Sequence, residues 1–397
     1  MTAAGSPAEA ASAQGARTEA EAPPTPINCK PKALGSSLFK STWRQADRTK
    51  WNWAQKLITG VDIWPLAAEP PQHAKDAPVP VLSGFTFNRW LVPRAAVPFL
   101  LHWAWVRFVT CGGVGAEDWQ QCSSGLHPIL AFLFYSIAFK LIGIHSIKWW
   151  RALGGRYGYF DGDKPRDEVT DDKVTDVILS LISTSTFRPI VAAFLIYDRT
   201  LAPPNFGDWK AMLFWVGVQL PLQVSAYSIT LDFWFYWYHR LMHEVPWLWK
   251  FHKAHHRTRH PNTLLTLFAD ETQEVFDLVV IPFFTYYTLS FIPFFHVNFY
   301  DWFAIQMNIM KIELTGHSGV RLYFTPPNAA PLGLLQKLGL ELIIEDHDLH
   351  HRSSWKDRGG NYGKQTRIWD SLFGTTLKRE ECTTENVKHD VLAEAPW

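Results

Sequence analysis

His239-Arg240-Leu241-Met242-His243 is followed by His252-Lys253-Ala254-His255-His256, and the second spacing returns at His347-Asp348-Leu349-His350-His351. With the single His317 of Thr315-Gly316-His317-Ser318-Gly319, these runs hold nine of the eleven histidines between 239 and 351, in a chain that has 16. Residues at i and i+4, or at i, i+3 and i+4, lie about one turn apart on a helix face. The spacing therefore predicts helical blocks, each presenting two or three imidazoles in one direction. Neutral imidazole is a borderline ligand that suits iron, zinc and copper. A single zinc ion takes three or four protein ligands, so nine convergent histidines suit two ions. The expected metal ligands are His239, His243, His252, His255, His256, His317, His347, His350 and His351. His73, His102, His127, His145 and His389 stand alone and carry no such expectation, and His260 and His296 are left outside the site.

Metal-bound histidines usually give their second ring N–H to a carboxylate or a carbonyl. Four carboxylates are placed for that role: Asp232, seven residues before His239; Glu313, four before His317; and Asp346 and Asp348, which flank His347.

Working outward, the rest of the chain reads as membrane-associated. Among 397 residues there are 20 tryptophans and 27 phenylalanines, and tryptophan collects at membrane–water interfaces. The net charge of +1 says little about partners, and no nucleic-acid module or long basic stripe is present. Crossing a hydrocarbon core takes roughly 20 apolar residues in a helix. Residues 95–112, 128–144, 177–197 and 211–231 approach this. Residues 278–310 are too short for two full spans, yet histidine blocks lie on both sides of them. A shared site then requires a re-entrant hairpin that dips in and returns. The expected organisation is a disordered tail (1–35) within an N-terminal lead-in reaching residue 85, transmembrane helices over 86–231, a histidine domain over 232–378 that includes the hairpin, and a C-terminal tail over 379–397. Cys111 and Cys122 can form a small lumenal disulfide or remain two thiols, and nothing demands an oxidising compartment.

Two redox-capable ions can activate dioxygen, which zinc cannot, and an apolar substrate offers unactivated C–H bonds. Histidine-only blocks speak against a hydrolase, whose sites mix in carboxylates. A membrane metal-binding scaffold without activity is the other alternative.

Residues 229–376 resemble the fatty acid hydroxylase/sterol desaturase superfamily of integral membrane non-haem di-iron enzymes. The likeness rests on Asp232 to Tyr238, the blocks 239–243 and 252–256 with Pro246-Trp247-Leu248 between them, and His317-Ser318-Gly319. The block 347–351 with Asn361-Tyr362-Gly363 and Trp369-Asp370-Ser371-Leu372-Phe373-Gly374-Thr375 completes it. The His-Asp-x-His-His and His-Ser-Gly forms are most similar to the sterol-acting branch. Where that branch commonly has His-Pro-x-Glu, this chain has Ala269-Asp270-Glu271-Thr272-Gln273-Glu274. The resemblance implies an all-α fold of polytopic membrane helices carrying a cytosolic, histidine-rich catalytic domain. It also implies two ferrous ions, dioxygen as co-substrate, and electrons from NAD(P)H through separate proteins, cytochrome b5 and its reductase. The location it implies is the endoplasmic reticulum membrane, multi-pass, with the histidine blocks on the cytosolic face. The expected reaction is hydroxylation, oxidation or desaturation of a lipid. A sterol or terpenoid is favoured over a fatty acid or sphingoid base.

Overall fold

The computed structural model describes residues 40–64, 69–112, 116–293, 295–325, 333–352 and 359–396. The expected disordered tail, 1–35, lies outside them. The described chain is mostly helical. Helix α1 (Trp53–Val61) starts at a capping box between Asn52 and Gln55, and α2 (Gly84–Trp105) is capped by Ser83. Helix α3 (Pro128–Tyr157) places Pro128 in its first turn, where a missing N–H costs nothing. It is followed by α4 (Val174–Leu195). Helix α5 (Trp209–Glu244) is continuous through a π-helical turn at Trp215–Gln219. Next come α6 (Trp249–His252) and α7 (residues 271–290, with a second π turn at Phe276–Val280). Helices α8 (Phe299–Gly316), α9 (Ile344–Arg352) and α10 (Ile368–Phe373) follow, with a single helical turn at Leu334–Lys337 between α8 and α9.

Two of these helices, α3 and α5, are long and apolar enough to cross a bilayer. Helix α2 has bilayer length but carries Arg89, Arg94, Pro93 and Pro98. The apolar part of α4, Val174–Phe187, is shorter than a span. Many apolar side chains on these helices face outward rather than into the core. Leu101, Ile137, Leu213 and Phe283 are all more than half exposed, a surface that a water-soluble monomer rarely shows.

Contacts along the helices fix their directions. Near the start of α5, Trp215 Nε1 donates to Asp301 Oδ1 at 2.6 Å, in the first turn of α8. At their far ends α5 carries His239 and α8 leads into His317, so the two run parallel. Helix α7 runs against α5, since Tyr238 stacks on Phe276 at 5.2 Å and Trp234 on Phe284 at 5.0 Å. Residues 271–317 therefore leave the histidine end, turn, and come back. The turn explains Asp301, an acidic residue amid apolar sequence. Its carboxylate is 1% exposed and also accepts from Gln219, Gln223 and the Asn298 backbone, which offsets the cost of burying a charge. Cys111 and Cys122 are joined in a disulfide just past α2, at the same end as the Asp301 turn.

Two expectations change. The fold is not purely helical: β1 (Val79–Val81) pairs in parallel with β2 (Val387–Leu392). The segments read as a lead-in and a tail are built into the core instead. Trp43, Trp51, Cys382, Ala393 and Ala395 are buried in one cluster with α3 residues. Buried Arg321 ties these segments together, donating to Glu381 Oε2 at 2.7 Å and to the Pro78 carbonyl at 2.8 Å.

Candidate metal centre

All nine expected histidines meet at one end of the helices, in two groups. His239, His243, His252, His256 and His350 form one; His255, His317, His347 and His351 form the other. Within each group one nitrogen of every ring lies within 4.8 Å of the others. The groups abut, with the His256 and His351 rings stacked at 4.8 Å.

Helix geometry accounts for the division in the blocks 239–243 and 347–351, and the block 252–256, which leaves the end of α6 through a turn into a 3-10 turn at His255–Arg257, divides in the same way. Successive residues on a helix point about 100° apart, whereas i and i+4 nearly align. Accordingly His239 and His243 share a group, as do His252 and His256, and so do His347 and His351. The histidine at i+3 of each triple, His255 or His350, crosses to the opposite group. The doubled histidines thus point into two groups, not in a single direction as the spacing alone implied.

Nδ1 of His239 lies 2.8 Å from the Tyr362 carbonyl, His255 3.1 Å from Phe268, His317 2.8 Å from Glu313, His350 2.8 Å from Gly360 and His351 3.0 Å from Thr258. A carbonyl only accepts, so each Nδ1 is the N–H and each Nε2 holds a lone pair. His252 Nδ1 is oriented likewise by Gln273 Oε1 at 2.9 Å. Yet Nε2 atoms face one another at 2.9 Å for His239 and His252, and at 3.2 Å for His255 and His317. Nε2 of buried His351 has no hydrogen-bond partner among the described residues. Lone pairs aimed together at this range repel unless a cation lies between them. The donor set thus fits a metal ion in each group.

Electrostatics agree. Burial, reinforced by neighbouring imidazoles, drives the pKa of His252, His256, His317, His347 and His351 well below the usual value. Burial brings His255 to about 3 and His350 to about 4. The rings are neutral at pH 7, the form that binds metal.

The proposed supporting carboxylates act one step further out. Asp232 accepts from the backbone N–H groups of Lys364, Gln365 and Thr366 at 2.6–3.0 Å, and Asp370 from those of Tyr362 and Gly363. Together they hold the loop whose carbonyls face His239 and His350. Asp346 is gripped by Arg379, and Asp348 by Arg166 and Arg352. For Glu313 it is the backbone carbonyl that meets His317. The partners of the rings are chiefly carbonyls, which every residue possesses, so no sequence signal marks them. Gln273 is the exception. It lies in the stretch where this chain departs from the sterol-acting pattern.

Two glycines have steric reasons. A Cβ on Gly363 would collide with the Thr366 carbonyl oxygen. Gly319, beside His317, has φ +60, and the Arg166 guanidinium occupies the place of its Cβ.

Beneath the rings lies a chamber of about 30 Å³, lined by His239, His252, His255, His317 and His347 with Lys364 and Glu313. It adjoins an apolar cleft of about 140 Å³ between α3, α4 and α8, lined by Phe139, Gly143, Ile147, Ile178 and Met310 among others. Thr184, Thr266, Leu267 and Glu313 belong to both.

Residues 224–375 match the family described as Fatty acid hydroxylase. The chain is 35% identical over 350 residues to "Fatty acid hydroxylase vlmA" of Lecanicillium sp, covering 87% of this chain and 89% of that one. It is 26% identical over 228 residues to "Alkylglycerol monooxygenase" of Xenopus tropicalis (55% of this chain, 43% of that one). It is 29% identical over 161 residues to "Methylsterol monooxygenase 2-1" of Arabidopsis thaliana (38% and 55%). Against these last two, the match spans about half of the relative's length. No solved structure matches the chain significantly.

Proposed function

Because the chain belongs to the fatty acid hydroxylase family, within the fatty acid hydroxylase/sterol desaturase superfamily, we propose that it is a membrane-bound di-iron oxygenase acting on a lipid. The observation that carries this reading is the nine-histidine cluster with its Nε2 lone pairs converging in two adjacent groups. The overall reaction is RH + O2 + 2 e⁻ + 2 H⁺ → ROH + H2O, or loss of a second hydrogen to give a double bond. One iron is assigned to His239, His243, His252, His256 and His350, and the other to His255, His317, His347 and His351. When bound, the irons supply the redox chemistry that dioxygen needs to attack an unactivated C–H bond, which zinc lacks.

The chain's own residues do the rest. Tyr362, Phe268, Glu313, Gly360 and Thr258 fix the ring orientations through their carbonyls, and Gln273 through its side chain, so the site is formed before the metal arrives. The cleft admits an apolar substrate and keeps bulk water away from the reacting carbon. Relatives named for a fatty acid, an alkylglycerol and a methylsterol support a lipid substrate. The His-Asp-x-His-His and His-Ser-Gly forms favour a sterol or terpenoid, with a fatty acid or sphingoid base next.

Helix lengths support a topology for this reading. Helix α5 has 36 residues and spans roughly 54 Å, against a hydrocarbon core about 30 Å thick. Its histidine-bearing turns therefore stand clear of the bilayer. The Cys111–Cys122 disulfide lies at the opposite end, and disulfides persist in oxidising compartments. This supports an endoplasmic reticulum orientation with the disulfide lumenal and the histidines cytosolic, within reach of cytochrome b5 and its NAD(P)H-linked reductase. The domain division in keeping with this is a membrane part over 86–231 and a histidine domain over 232–378 whose 278–310 hairpin is re-entrant.

Lipid mass spectrometry of membranes with and without the protein tests the reading. Oxygen-dependent gain of an oxygen atom, or loss of a hydrogen pair, is expected only with iron-loaded protein. Turnover with zinc alone, or without oxygen, overturns it.

A further inference from the structure

Between the apolar cleft and the histidines stands a charge pair. Glu313 lines both cavities and Lys364 lines the chamber. Lys364 Nζ lies 3.5 Å from Glu313 Oε1, with the two side chains only 14% and 8% exposed. The ammonium also sits 4.6 Å from the centre of the Phe235 ring. Its position is firmly set: the Lys364 backbone N–H is held by Asp232, in the loop whose Tyr362 carbonyl orients His239.

A buried ion pair is a poor device for stability, because desolvation offsets the attraction and apolar replacements are often neutral. At this neck an apolar pair would simply extend the cleft. What the ion pair adds is a fixed donor and a fixed acceptor, side by side, at the mouth of the chamber. A hydroxyl or an amide both accepts and donates. It takes a hydrogen bond from Lys364 while giving one to Glu313. A carboxylate or an ammonium would serve one partner and leave the other charge stranded.

We infer that Lys364 and Glu313 determine specificity by receiving a neutral hydroxyl or amide group of the lipid, so that carbons within a few bonds of it are presented to the histidine cluster. The inference rests on the oxygenase reading and names the chemical class of its substrate: an uncharged lipid oxidised beside its polar group, with its apolar body in the cleft. Lys140, the other charged residue lining the cleft, is already tied to α4, donating to the Ser185 carbonyl at 3.2 Å and to Thr186 Oγ1 at 2.8 Å.

The test uses the full chain in nanodiscs, measuring equilibrium binding of radiolabelled hexadecanol and hexadecane without turnover. The wild type is expected to prefer the alcohol by about tenfold, the scale of one hydrogen bond to a charged group. In the double variant Lys364→Met/Glu313→Leu that preference disappears while hexadecane still binds, and Lys364→Arg retains it. Should the double variant fail to insert, Glu313→Gln leaves the ammonium uncompensated and is expected to shift preference towards palmitate. With iron-loaded wild type, oxygen enters near the hydroxyl end. An unchanged preference in the double variant, no palmitate shift in Glu313→Gln, or oxidation at the far chain end overturns the inference. If the alcohol preference holds but no lipid is ever oxidised, the oxygenase reading fails and the binding pair stands. If lipids are oxidised without regard to the hydroxyl, only the pair fails.

Discussion

His350 shows how much of the candidate metal centre is settled by one side chain's second nitrogen. Its Nδ1–H is fixed on the Gly360 carbonyl, so Nε2 has a single direction, into the five-histidine group. Gln273 does the same for His252, and it is the one ring partner among these supplied by a side chain. Removing such a partner typically costs 10–100-fold in metal affinity. Gln273→Leu is accordingly expected to weaken metal binding by roughly that factor while leaving the chain inserted, as read by competition with a chelator. Unchanged affinity would mean that His252 is oriented by something other than this amide.

At the scale of elements, the loop at residues 360–366 is the support on which both His239 and His350 lean. Asp232 and Asp370 hold it from below, and Gly363 lets the Thr366 carbonyl close over it. Gly363→Ala forces a methyl against that carbonyl, so thermal unfolding in detergent should show a loss of about 2 kcal/mol, the usual cost of overpacking. The gathering of the nine histidines was legible in the sequence because side chains that meet at one point from a helical turn recur at i, i+3 and i+4. That the chain between the blocks turns back on itself follows from the same residues, because α7 runs against α5 and α8 parallel to it. The carbonyl partners were not legible, since a backbone oxygen leaves no mark in the choice of residue. The parallel pairing of β1 with β2 was equally hidden. It joins segments about 300 residues apart through backbone groups, and each alone reads as polar lead-in or tail.

For the molecule as a whole, a cluster of buried neutral imidazoles ties stability to pH. An exposed histidine in the unfolded chain titrates near 6.5, whereas in the fold His350 lies at about 4 and His255 at about 3. The folded value is the lower one, so the unfolded state gains protons first as pH falls. The stability these groups contribute is whole above about pH 6.5 and is lost progressively as pH drops towards 4. Metal-free protein should therefore show a Tm that declines between about pH 7 and pH 5, measured by scanning fluorimetry. Bound metal should delay the decline until protons displace it. A flat profile would indicate that these rings are hydrated or already charged.

The two-group arrangement has one direct measurement: iron content and Mössbauer spectroscopy of anaerobically reconstituted protein, for the wild type and for His255→Ala and His350→Ala, which remove a ligand from different groups. The expected result is two irons per chain in two resolvable ligand environments. Each substitution should weaken iron binding chiefly in its own group and abolish lipid oxidation. A single iron per chain, or iron that stays fully bound and spectroscopically unchanged in both variants, would contradict it.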